Sequence, residues 1–181
     1  MRPAKRPLPP LDGPSLERLA LRYVERFATT RVKLATYLNG KIRLRGFDGP
    51  LPDTLLIADR FVAAGYIDDR SFGEARARAL ARRGLGARRV AGALHHAGIG
   101  EEDSAALAPA IADRAVESAL IFARKRRIGP FATALADRPT LEKHIAAMIR
   151  GGHDFGLARR IATMAPGDDV DALIEPASPA A

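Results

Sequence analysis

From Leu16 to Ile161, apolar residues recur every three or four positions, and glycine, proline and short polar turns interrupt the recurrence. That spacing lines side chains along one face of a helix, whereas a half-buried strand needs strict alternation. Alanine, leucine and arginine fill most of the pattern, and all three lose little side-chain freedom in a helix. Tryptophan is absent and aromatic residues make up only 6% of the chain, so the β-branched and aromatic runs that favour strands are missing. The expected fold is all-α.

The stripes can be read one by one. Ser15 is placed to cap a first helix carrying Leu16, Leu19, Ala20, Tyr23, Val24 and Phe27. Thr29 or Thr30 opens a second with Leu34 and Leu38, and Gly46 stops it. Beyond Pro50 and Pro52, Asp53 or Thr54 starts a third helix with Leu56, Ile57, Phe61 and Val62, ending at Gly65. Asp68 or Asp69 caps a fourth, with Phe72, Ala75 and Ala79 as its apolar edge and Gly84 and Gly86 as its stop. A fifth carries Val90, Ala93, Leu94 and Ala97 up to Gly98. The longest stripe runs through Ile111, Ala112, Ala115, Val116, Ala119, Phe122 and Ala123 to Gly129-Pro130. A last pair carries Leu141, Ile145, Met148 and Ile149, then, past Gly151-Gly152, Phe155, Leu157, Ala158 and Ile161.

Parts of this series rhyme. Leu34/Leu38 with Gly46-Phe47, Val90/Leu94 with Gly98-Ile99, and Ile145/Ile149 with Gly152 and Phe155 each set two apolar residues four apart before a glycine and an apolar residue. Helical units too short to bury their own faces complete a core by stacking. The expectation is small stacked helical units, broken near residues 50 and 100, in an elongated, gently curved body. Residues 1–14, rich in proline and basic groups, read as an unpacked arm, and 166–181 as an unpacked acidic tail.

Charge narrows the function. The chain has 29 basic and 21 acidic side chains, a formal net charge of +8, and most of the excess is arginine. Such a balance attracts polyanions, and arginine forks onto phosphates and carboxylates where lysine acts as a point charge. Cysteine is absent, which excludes disulfides, thiolate metal sites and cysteine nucleophiles. No apolar run approaches the ~20 residues needed to span a membrane, and Met1 to Pro10 lacks a secretory apolar segment, so a cytoplasmic protein is expected.

Three basic groups are candidates for binding. Arg76, Arg78, Arg82 and Arg83, continued by Arg88 and Arg89, lie on and after the fourth helix, with Arg78 and Arg82 four apart on one face. Arg124-Lys125-Arg126-Arg127 is the densest run, and Arg31, Lys33, Lys41, Arg43 and Arg45 form a looser group. Each can meet phosphates, or can be a solvated face or a favourable end to a helix dipole. Asp68 and Asp69 are adjacent, point differently and have no His or Glu at ligand spacing, so they read as caps. His95 and His96 are neighbours and not the i, i+4 pair of a zinc helix. With no phosphate loop and no Ser/His/Asp grouping, the expectation is a binding protein without metal, cofactor or small-molecule ligand, and not an enzyme. Two rivals stand beside it. A helix-turn-helix-like regulator on duplex DNA needs base-reading Asn or Gln, which 72–83 lacks; a nuclease would have to use Asp68 and Asp69.

The run Ala64-Gly65-Tyr66-Ile67-Asp68-Asp69-Arg70-Ser71-Phe72, the basic helix after it, and Arg88-Arg89-Val90 through Leu94 to Gly98-Ile99 resemble the middle repeat of the RecX family. That repeat joins a Gly-Tyr-hydrophobic-Asp-Asp-x-x-Phe turn to an arginine-rich helix and a closing helix ending in Gly-Ile. Leu21 to Phe47 resembles the opening repeat and Ala119 to Phe155 the third, where Gly151-Gly152-His153-Asp154-Phe155 stands in place of the closing Gly-Phe step. The resemblance covers about residues 15–165. It implies a regulator built of three tandem three-helix repeats, here 15–50, 51–100 and 101–165, that binds RecA and RecA–single-stranded-DNA filaments. Such a regulator restrains recombinase and co-protease activity during DNA repair, recombination and the SOS response. It also implies turn roles for Gly65, Tyr66, Asp68, Asp69 and Phe72.

Overall fold

The computed structural model describes residues 9–174. Its helices are α1 (Gly13–Arg26), α2 (Arg31–Arg45), α3 (Thr54–Ala63), α4 (Asp69–Arg82), α5 (Ala87–His96), α6 (Glu101–Ala112), α7 (Ala115–Arg126), α8 (Arg138–Arg150), α9 (Phe155–Thr163) and α10 (Asp171–Ile174), with a 3-10 turn at Gly129–Phe131. No strand occurs among the described residues, as the composition demands; a parallel bridge pairs Leu11 with Phe47. The chain divides into two units. One runs to Phe72 and takes in Ala97–Ile99, and the other comprises Gly73–His96 and Gly100 onward.

In the first unit, α1, α2 and α3 surround Leu16, Ala20, Leu34, Leu38, Ile57, Ala58 and Ile67. Tyr23 stacks on Tyr37 at 4.2 Å at the edge of this core. Leu11 joins it from the segment expected to be an arm, fully buried and held by backbone bonds from Leu11 N to the Gly46 carbonyl (3.0 Å) and from Asp48 N to the Leu11 carbonyl (2.8 Å). Full burial of a leucine contributes roughly 1.5–3 kcal/mol, which offsets part of the cost of fixing this short segment. Thr30 donates its hydroxyl to the Ala97 carbonyl, and Gly98 follows at φ +79, where a Cβ would lie 2.3 Å from that of Val32.

The second unit centres on Ala119, Ala123, Ile128, Met148, Ala158, Ile161 and Ala162 from α7, α8 and α9. Leu173 of α10 packs on the same core, so part of the expected tail is helical; residues 175–181 lie outside the described residues. Val90 and Leu94 of α5 and Leu107 of α6 are buried in the same unit.

Helix starts follow the sequence signals closely. Thr30 accepts from Lys33 N and Asp53 from Leu55 N, and Asp154, a cap the reading of the stripes did not name, accepts from Leu157 N. The first helix is a correction: its cap is Asp12, which accepts from Ser15 N at 2.8 Å, because Pro14 occupies the first turn and brings the start forward. The long stripe from Ile111 to Ala123 is two helices. Asp113 (φ −56, ψ −25) and Arg114 (φ −97, ψ 8) stay near helical geometry, so the apolar phase survives a break that the periodicity does not register. Three faces are also turned from expectation. α3 buries Thr54, Ile57 and Ala58 while Leu56 and Val62 are exposed, α4 buries Gly73, Ala77 and Leu80 rather than Ala75, and Phe155 is exposed on α9.

Candidate nucleic-acid interface

Two glycine turns build the site. α4 ends in Arg83-Gly84-Leu85-Gly86 before α5, and α8 ends in Gly151-Gly152-His153 before α9. Within the second unit these turns lie backbone against backbone. Gly86 N donates to the Gly151 carbonyl at 3.0 Å and Arg88 N to that of Gly152 at 3.2 Å. A Cβ on Gly86 would sit 2.4 Å from the Gly152 carbonyl, so the approach requires glycine. His153 is buried behind the junction, its Nε2 3.1 Å from the Gly84 carbonyl and its ring 5.2 Å from Phe122. Burial lowers its pKa below the usual 6.5, the bond to Gly84 opposing the shift, so the imidazole is a neutral donor at ordinary pH.

This junction brings α5, the end of α7 and the end of α8 around one cleft of about 700 Å³. Arg88, Arg89, Arg126, Arg150 and His96 line it, over a floor that includes Phe122 and the glycines Gly92 and Gly151; among the described residues no carboxylate lines it. Arg89 is fixed by donating Nε to the Arg150 carbonyl at 2.9 Å, and Arg126 lies 5.4 Å from the Phe122 ring centre. His96 donates from Nδ1 to the Gly92 carbonyl at 2.7 Å, which aims Nε2 away from the helix backbone.

The sequence candidates therefore separate. Arg88, Arg89 and Arg126 meet at the cleft, and sequence reasoning missed Arg150 and His96 as their companions. Arg76, Arg78, Arg82 and Arg83 are exposed but do not line it, and Arg78 pairs with Glu74 at 3.6 Å one helical turn away. Lys125 donates to the Arg83 carbonyl at 3.1 Å, a cation on the C-terminal end of α4. Arg124 covers the Phe131 ring at 4.7 Å, and Arg127 closes α7 in the left-handed conformation at φ 55.

In the first unit the looser basic group is largely engaged. Arg31 forks onto both carboxylate oxygens of Asp59, Arg45 donates twice to the Pro9 carbonyl, and Lys33 and Lys41 lie over the rings of Phe72 (4.5 Å) and Tyr37 (5.1 Å). The fork onto Asp59 raises the Arg31 pKa and lowers that of Asp59. The two aspartates of the turn divide their work. Asp68 caps α4, accepting from the backbone and hydroxyl of Ser71, whose bonds lower its pKa. Asp69 instead reaches back 38 positions and accepts from Arg31 N at the first turn of α2. Gly65 takes φ +77 ahead of them, and Tyr66 is exposed with its ring tilted against Phe61. Among the described residues, no group of three or more His, Cys, Asp or Glu side chains is placed to hold a metal ion, and no helix is long and apolar enough to cross a membrane.

Three similar proteins carry one name. The chain is 30% identical over 158 residues to the "Regulatory protein RecX" of Myxococcus xanthus (strain DK1622), covering 81% of this chain and 83% of that one. It is 32% identical over 165 residues to proteins of the same name from Mycobacterium sp. strains JLS and KMS, covering 86% of each chain. No family model matches the chain.

Proposed function

The chain belongs to the RecX family of regulatory proteins, and from that premise we propose that it binds RecA–DNA filaments and restrains RecA's recombinase and co-protease activities in DNA repair and the damage response. The observation that carries this reading is the convergence of four arginines on one cleft without a carboxylate, a surface suited to a polyanionic assembly. The action is binding and not chemistry: a cationic helical body occupies filament surface, adds attraction to the nucleic acid, and obstructs filament growth or access by other partners. The three-repeat organisation, 15–50, 51–100 and 101–165, belongs to the same reading, as does work in the cytoplasm where RecA filaments form.

The test is RecA ATP hydrolysis on single-stranded DNA with and without the protein. The rate falls as the protein is titrated in, and the double charge reversal Arg88→Glu/Arg126→Glu weakens that fall while the far-ultraviolet dichroism stays unchanged. A rate indifferent to saturating protein at near-physiological salt removes the reading.

A further inference from the structure

We propose that the cleft lined by Arg88, Arg89, Arg126 and Arg150 is a phosphodiester site that holds single-stranded nucleic acid directly, without RecA. The proposal deepens the filament reading by naming which surface meets the nucleic acid. Four guanidiniums brought together with no lining carboxylate repel one another, and an anion in the cleft relieves that repulsion. Their positions do not come from one basic run. The Gly86–Gly151 and Arg88–Gly152 backbone bonds bring the start of α5 to the end of α8, the Arg89 bond to the Arg150 carbonyl holds one guanidinium, and Arg126 lies over the Phe122 ring, so part of the cleft is in place before any ligand arrives.

Size and wall chemistry choose the ligand. About 700 Å³ is the scale of a site for a sizeable ligand and far exceeds one inorganic ion. A Cβ added at Gly92 would meet nothing within 4 Å, so that wall stays open to a backbone passing along it. A phosphodiester chain carries a charge on every unit, and successive phosphates reach successive guanidiniums with no side chains to lodge. His96 lines the same cleft, held to α5 by its Nδ1 bond to the Gly92 carbonyl.

Fluorescence anisotropy of a short labelled oligothymidylate, titrated with the full chain in the absence of RecA, tests the assignment. Arg88→Gln/Arg126→Gln is expected to weaken binding at least ~10-fold, and the slope of log affinity against log salt should shrink by about 0.7 for each phosphate that is no longer neutralised. Arg150→Gln alone is the second variant, read by the same slope should the double variant lose its helical dichroism. Arg138→Gln, an exposed arginine paired with Glu142 outside the cleft, should bind as the parent does. Parental affinity in both cleft variants overturns the proposal. So does a cleft variant that keeps oligothymidylate binding but loses the RecA filament, which would put an acidic protein surface in the cleft. Cleft-dependent oligothymidylate binding with no effect on RecA ATP hydrolysis supports the site and sinks the filament reading alone.

Discussion

In the first unit Arg31 forks onto Asp59, Arg45 holds the Pro9 carbonyl, and Lys33 and Lys41 lie over aromatic rings; in the second, Arg88, Arg126 and Arg150 line a cleft that no carboxylate enters. Both units are rich in basic side chains, yet the first turns much of that charge inward to fasten its own helices. A net charge of +8 is thus a poor guide to where a polyanion docks. What matters is whether the cations are gathered around one cleft that no carboxylate among the described residues lines.

The largest effect should come from the glycine junction. Gly86→Ala places a methyl group 2.4 Å from the Gly152 backbone, which cannot yield as a flexible side chain would, and should cost about 3 kcal/mol. The tyrosines of the chain, Tyr23, Tyr37 and Tyr66, all belong to the first unit, and tryptophan is absent. Urea melts should therefore show a lowered dichroism midpoint with a smaller change in tyrosine emission. Equal shifts in both signals would break the comparison.

An intermediate effect should come from acidification. His153 is neutral when folded, with its pKa depressed by burial, so the unfolded chain takes up a proton first as pH falls below about 6.5. The second unit should lose stability from that pH downward until the folded imidazole also titrates. His153→Gln should flatten this dependence in urea melts between neutral and mildly acid pH. An unchanged profile would show that burial of this imidazole does not govern the acid response. The smallest effect sharpens the contrast most directly: Lys41→Gln/Arg43→Gln should leave oligothymidylate affinity within about 2-fold of the parent, because these cations serve or flank the α2 surface rather than a cleft. A loss as large as that of the cleft variants would erase the difference between the units.

Much of the helical framework is legible because its signals are local. Thr30, Asp53, Gly46 and Gly98 act within a few residues of where they stand, and the sequence marks them. The buried face of α4 is not legible, since Ala75, Ala77, Ala79 and Ala81 put an apolar residue on several sides and leave the periodicity without a phase. The second aspartate of the Asp68-Asp69 pair is half legible: capping is its role, but the helix it caps begins 38 positions earlier. Arg150 stands alone at a helix end, so no charge run announces it; only the pairing of two glycine turns brings it to Arg88 and Arg89. The glycine doublet Gly151-Gly152 is the available clue, and in the sequence it looks like a stop rather than a place where two backbones touch.

That junction also has a bearing on biosynthesis. Arg89 waits for a carbonyl 61 positions downstream, and His153 closes on Gly84 across 69. A chain still emerging from the ribosome has its arginines in place but no groove to hold them. Closing so wide a loop costs entropy that only the finished second unit recovers. Any attraction of the cleft for nucleic acid should therefore arise only once the chain through His153 has been made and has folded back on Gly84.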